Sequence, residues 1–204
     1  MQTEPRAGST FPDMLQRSMV VLTCVDGALR DSTTGSFVRV KTALNAVSGR
    51  GVSTVLASYH RPADLMAIQQ ELGLREPFIA ELGRALYVPK GHFGDVATSA
   101  SHPGDWDVFE FSPPSMEEAI DTLIWLYRVT GDSPLLVGVG ASWSDRLLLR
   151  HVDVPVVIAA DTVDHRQLRM HFPEAYVTTA TGPGGWCEAM LGSDGLNSIG
   201  EQSG

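Results

Sequence analysis

Cys24 and Asp26, two residues apart at the end of an apolar run, are the first side chains in this sequence that could do chemistry. They lie in the segment Leu22-Thr23-Cys24-Val25-Asp26-Gly27-Ala28-Leu29. A carboxylate such as Asp26 can accept or deliver a proton as general acid/base. A thiolate at Cys24 could attack an electrophile, but an unperturbed thiol has a pKa of about 8.5 and is only slightly ionised at neutral pH. Asp26 and Asp145 would raise that value by like-charge repulsion, and the loop is read as supplying no His or Arg to oppose them. The simpler reading of Cys24 is a small half-buried thiol filling space at a strand end.

Other chemistry-bearing groups are scattered. Ser58, followed by Tyr59-His60-Arg61, could hydrogen-bond an anion. His165 and His171 are six residues apart, which does not put two imidazoles on one helix face, so a charged amphipathic helix explains them better than a metal site. Asp105-Trp106-Asp107 reads either as a pair of carboxylates or as a turn anchored by its tryptophan. The stretch Gly182-Pro183-Gly184-Gly185-Trp186 opens a helix and could hold an anion on its N–H groups, while packing of Trp186 under a sheet is the structural alternative.

The elements that would position these residues follow from hydropathy. Met19–Cys24, Ser53–Ala57, Leu135–Val139, Val154–Ala159 and Tyr176–Thr179 are short β-branched apolar runs that suit strands covered on both faces. Ser115-Met116-Glu117-Glu118 is a capping box, after which Met116, Ile120, Leu123, Ile124 and Tyr127 fall on one helix face. Strands alternating with helices predict an α/β fold with a doubly wound, Rossmann-like parallel sheet. Ligands in such sheets bind at the carboxyl ends of the strands, where Cys24, Asp26, Ser58 and the loop after Val139 would meet.

With 204 residues and 43% hydrophobic content the chain suits one core. We expect a single domain over 18–191, with flexible ends at 1–17 and 192–204. Fifteen basic residues against 24 acidic ones give a net charge of -9, and only Lys41 and Lys90 are lysines, so no nucleic-acid partner is expected. No run of about 18 apolar residues suggests a membrane span, and no signal-like segment follows Met1. Cys24 and Cys187, the only thiols, do not make a disulfide framework. A cytoplasmic location is the expectation.

Three stretches carry a resemblance. ELGLREPFIAELGRALYVPKGHF (71–93), GVGASWSDRLLLRHVDVPVVI (138–158) and TTATGPGGWCEAML (178–191) resemble, in order and spacing, segments of mannosyl-3-phosphoglycerate phosphatases, a subgroup of the haloacid dehalogenase superfamily. The segment at Cys24 is similar to that superfamily's D-x-D-G-T-L signature. The resemblance implies a haloacid dehalogenase-like core whose cap domain, inserted before the helix at Ser115–Val129, is reduced to a loop or hairpin at about 93–114. Residues 94–114 are too few for a second core, which takes about 50 or more. Val108–Phe111 is read as the last strand of that cap remnant.

By the same resemblance, phosphate would pass to the first aspartate of the signature while the second protonates the leaving oxygen. Asp26 keeps the acid/base role, but Cys24 stands at the nucleophile position. The family's Mg²⁺ loses both side-chain ligands to Cys24 and Ala141, leaving the Asp26 carbonyl and Asp145. A hard, oxygen-seeking ion is poorly served by a thiol, so no cofactor is expected beyond what the resemblance implies. Ser144 replaces an asparagine, and no lysine follows Lys90 to neutralise phosphate. Gly27, Ser58, His60 and Arg61 are the candidate anion-binding residues. The expected function is a phosphatase-fold protein without Mg²⁺-dependent activity, acting as a binding, regulatory or assembly module. A protein partner or self-association would use the uncapped site face, and a phosphorylated metabolite is a further ligand. The alternative is a residual or redirected phosphoric-monoester hydrolase acting on a phosphorylated sugar-like molecule with Asp26 as acid/base.

Overall fold

The apolar runs assemble into one eight-stranded sheet in a computed structural model that describes residues 18–31, 33–94 and 104–192. The strands are β1 (Met19–Thr23), β2 (Val52–Ala57), β3 (Phe78–Ala80), β4 (Ala85–Pro89), β5 (Trp106–Glu110), β6 (Leu135–Gly140), β7 (Val154–Ala159) and β8 (Tyr176–Thr181). Their order is β5-β4-β3-β2-β1-β6-β7-β8. All neighbours from β3 to β8 run parallel, whereas β3–β4 and β4–β5 are antiparallel. The expected ends, 1–17 and 192–204, lie outside the described residues except for Gly192.

Six α-helices among the described residues cover the sheet. On one face α1 (Val38–Ser48), α2 (Pro62–Leu72) and α6 (Gly182–Leu191) bury Val40, Leu44, Leu65, Ile68 and Trp186 in a common core. On the other, α3 (Met116–Val129), α4 (Arg146–Leu149) and α5 (Val163–His171) bury Ile120, Leu123, Leu148 and Leu168. The α3 stripe is as read from its period, and Ser115 Oγ accepts the Glu118 N–H at its start. The strand order turns at β1, so the fold is doubly wound and its binding crevice lies beyond the end of β1. No helix among the described residues is long and apolar enough to cross a membrane.

The stretch Val108–Phe111, expected as the last strand of a cap remnant, falls largely on β5, which pairs antiparallel with β4 and ends the main sheet. The reason is aromatic packing. Trp106 meets Phe78 edge-on at 5.0 Å, and Phe78 stacks on Tyr87 at 4.7 Å. These rings join the core of the domain instead of building a second one. This also makes Trp106 an anchor within a strand, not the centre of a turn. Residues 95–103 lie outside the described residues.

The end of β8 departs from regular pairing. Ala159 pairs with Thr181 where Val157 pairs with Val177, so extra residues bulge out of β8. Thr178 Oγ1 accepts the Ala159 N–H at 2.9 Å in place of a backbone carbonyl. The N–H groups of Thr179 and Ala180 go to the Glu188 carboxylate on α6, each at 2.8 Å, with the Thr179 and Tyr176 hydroxyls. Desolvation pushes the Glu188 carboxyl up, but these donors outweigh it and hold the group below its ordinary value of 4.5. A lowered carboxyl contributes stability above its unfolded value and loses it as pH falls through the folded value. Glu188→Gln is therefore expected to cost roughly 1–3 kcal/mol at neutral pH and to flatten the acid limb of a urea-unfolding series. An unchanged acid limb would contradict this.

Candidate functional site

Beyond β1 the chain continues its ladder for one residue, Cys24 N–H donating to Val139 carbonyl at 3.0 Å. This holds Cys24 inside the fold at 4% exposure. Its Sγ points to the Asp26 carbonyl at 3.6 Å and faces the Asp145 carboxylate. Burial pushes the thiol well above its ordinary value, and the charge and hydrogen bond of Asp145 push it further. Cys24 is a protonated thiol at neutral pH.

Asp145 is fixed from its own loop. Its Oδ2 accepts the N–H groups of Ala141 and Ser142, both at 2.8 Å, and the Ser142 hydroxyl at 3.1 Å, closing a capping box on the 3-10 turn Trp143–Asp145. Burial nonetheless raises its carboxyl above the ordinary range, against those N–H donors. Gly27, at φ +77°, lets the β1 loop pass this turn: a Cβ there would stand 2.8 Å from the Ala141 methyl.

Asp26 projects into the open. Its carboxylate accepts the Tyr59 hydroxyl and lies 3.3 Å from His60 Nε2 and 3.4 Å from Arg30 Nη1. The bond to Asp26, followed by burial, raises the Tyr59 phenol. Ser58 is buried at the end of β2, where its N–H donates to the Ile79 carbonyl and its Oγ accepts the His60 N–H at 3.4 Å.

The sequence-predicted residues thus separate. Cys24, Asp26, Gly27, Ser58 and Asp145 line one cleft of about 590 Å³ at the carboxyl ends of the strands. His60 stands behind it as a partner of Asp26. Arg61 is turned away: it caps the start of α2, and its exposed side chain pairs with Asp64 at 3.1 Å. His165 is buried while His171 bonds Arg150, so they form no joint site. Gly182 and Pro183 line the far wall of the cleft, and Trp186 is fully buried, as the packing reading of that loop expects.

Three contributors escaped the sequence reading. Arg30, in the turn that follows β1, pairs with Asp26 at 3.4 Å, so the loop does supply a cation, although to Asp26 and not to Cys24. Tyr59 was seen only as part of a run. Arg39, in the first turn of α1, lines the cleft opposite Asp26, with Nη1 so placed that a Cβ on Gly184 would sit 3.8 Å away. The unread helix α1 explains the omission.

These donors do not fit Mg²⁺. The Asp26 carbonyl already accepts from the Cys24 thiol, Ala141 offers a methyl group, and Asp145 Oδ2 is shared by three donors. A hard cation needs several free oxygens.

A parallel sheet with its crevice beyond β1, an antiparallel pair at one margin, and Cys24, Asp26, Ser58 and Asp145 gathered there define a haloacid dehalogenase-like fold. The chain superposes on sucrose-phosphatase from Synechocystis sp. PCC6803 with a TM-score of 0.61 at 12% identity, covering 89% of this chain and 100% of that one. For the haloacid dehalogenase subclass IIB sugar phosphatase BT4131 the values are 0.59 and 15%, covering 85% and 98%. Within that fold, the chain is similar in sequence to glucosyl-3-phosphoglycerate/mannosyl-3-phosphoglycerate phosphatases. It is 36% identical over 76 residues to the one from Persephonella marina and 29% identical over 92 residues to that from Methanococcoides burtonii. The matches span 37% and 45% of this chain but only 28% and 34% of those curated relatives. No protein-family model matches the chain.

Proposed function

We propose that this chain is a phosphatase-fold protein that holds a ligand in its cleft without transferring phosphate. The observation that carries this is the Cys24–Asp145 pair. A protonated, buried thiol occupies the nucleophile position, and one oxygen of the carboxylate beside it, Asp145 Oδ2, is held by its own loop. Such a pair supplies no attacking carboxylate and at most one carboxylate to a metal. The cleft itself is intact, and its volume falls within the roughly 300–1,000 Å³ usual for small-molecule sites. Arg39, the first turn of α6 and the Ser58 hydroxyl suit an anionic, phosphorylated metabolite. A protein partner arriving at the same face would meet Tyr59, which is 56% exposed at the rim. Cys24 and Cys187 are both free thiols, in keeping with a cytoplasmic setting.

The test combines two readouts. Phosphate release from a panel of monoesters that includes mannosyl-3-phosphoglycerate, with and without Mg²⁺, is expected to match Cys24→Ala and Asp26→Asn controls. Inorganic phosphate is expected to raise the melting temperature, and Arg39→Ala or Ser58→Ala to remove that shift. Turnover that disappears in either control would overturn the proposal.

One observation favours a second reading. Asp26 keeps an acid/base geometry, hydrogen-bonded by Tyr59 and flanked by His60 and Arg30. Redirected hydrolysis through Asp26 would then be lost in Asp26→Asn and weakened in Tyr59→Phe.

A further inference from the structure

The layer formed by α3, α4 and α5 carries opposite charges at its two ends. On α3 the outward positions include Glu117, Glu118, Asp121, Trp125 and Arg128, three acids to one base, the indole being 48% exposed. At the other end α5 presents Arg166 and Arg169 around Met170, which is 83% exposed, and Arg150 follows α4. Met170 forms a ridge between two shallow grooves of about 490 and 400 Å³, one floored by Phe172 and Pro173, the other by Trp143. Arg166 pairs with exposed Asp161 at 3.6 Å and His151, 3.9 Å from Glu117, joins the two ends, while among the described residues Arg169, Glu118 and Asp121 have no ion-pair partner. In a chain of net charge -9 a basic, apolar surface beside an acidic, apolar one is a specific arrangement.

We propose that this layer is the interface of a two-fold homodimer, α3 of each copy lying on α5 of the other. A two-fold axis brings each patch onto its complement twice. Trp125 of one copy enters the groove beside Met170 of its partner, an aromatic–thioether contact of the kind sulfur favours. Glu118 and Asp121 then face Arg166 and Arg169. The reversed stacking, α3 on α3 and α5 on α5, sets like charges against each other, so charge selects the orientation. The interface lies on the helix layer, not on the cleft, and does not depend on what the cleft binds.

Sedimentation velocity of the full chain across a concentration series tests it. The wild type is expected to dimerise, more weakly as salt rises. The reversals Arg166→Glu/Arg169→Glu and Glu118→Arg/Asp121→Arg each set four like-charged contacts in the homodimer and are expected to raise the dissociation constant about a hundredfold or more. An equimolar mixture of the two variants restores both complementary contacts and is expected to dimerise. Far-UV circular dichroism confirms that each variant is folded. A monomeric wild type, a dimer indifferent to both reversals, or folded variants that stay monomeric when mixed would each overturn the proposal.

Discussion

Cys24→Asp is expected to destabilise this protein at neutral pH, although it moves the sequence toward the resembled signature. The new carboxyl would enter a site 4% exposed, facing Asp145, whose own carboxyl burial already raises. Two buried carboxylates cannot both ionise cheaply, so one proton is shared and the second charge is resisted. Leaving a buried charge uncompensated costs about 3–5 kcal/mol. Both carboxyls would have raised values in the folded state, so the stability they allow is present at low pH and lost as pH rises. Urea unfolding at pH 5 and pH 8 in the presence of chelator checks the sign: the gap between variant and wild type should widen at the higher pH. Cys24→Ser, a neutral change, should show no such widening. Mg²⁺ should raise the melting temperature of the aspartate variant and leave the wild type unmoved, because only the variant offers two carboxylates beside the Asp26 carbonyl. A variant whose stability ignores pH would refute the burial argument on which the proposed function rests.

Gly83→Ala is the second large effect. Gly83 closes the turn between β3 and β4 at φ +90°, after Glu81 and Leu82, which themselves have positive φ. A Cβ there would stand 2.3 Å from the Met116 nitrogen and 2.4 Å from the Ser115 carbonyl carbon. These are backbone atoms at the start of α3, where the Ser115 N–H donates to the Gly83 carbonyl at 3.0 Å. Neither side can yield without moving the helix. Left-handed strain of roughly 1–2 kcal/mol adds to overpacking of roughly 1–3 kcal/mol, a heavy loss for a fold stabilised by about 5–15 kcal/mol. The urea midpoint should fall steeply. Gly91→Ala, at φ +77° with nothing within 4 Å of the added carbon, should lose only the strain. Equal midpoints for the two variants would show that the helix does not lean on the turn.

The central sheet was legible because β1, β2, β6 and β7 are largely apolar runs, the pattern of strands buried on both faces; Tyr176–Thr179 was read the same way, but β8 is the outermost strand and exposes Thr179. The flank was not. Phe78–Ala80 is too short for any period to register, and what makes it a strand is the stack of Phe78 on Tyr87, a contact made only once β4 has folded back. Helix α1 hid behind β-branched Val38 and Val40 and lacks a side-chain cap. At the site, Asp26, Ser58 and Asp145 could be gathered by topology alone, since each follows a strand that ends at the same edge of the sheet. Arg39 could not, because its place in the cleft depends on how α1 packs against α6. Nor could the fate of Arg61, since a residue beside a strand end can cap the next helix and face away. The family-like stretch at Thr178–Leu191 was legible as a motif, and its physical meaning is structural: Gly185 leaves room for the Ala180 carbonyl, which a Cβ would approach to 2.4 Å.

The Glu188 clip has a consequence outside the folded monomer. β8 is the last strand of the sheet, and an outermost strand with free N–H groups is a template on which another chain can add by β-pairing. Here the bulge turns the strand off line, and the carboxylate already occupies the Thr179 and Ala180 donors. The same side chain that fastens α6 therefore guards the sheet against aggregation. Acid threatens this chain twice: protonating Glu188 weakens the clip, and it opens a margin at which a growing fibril could begin.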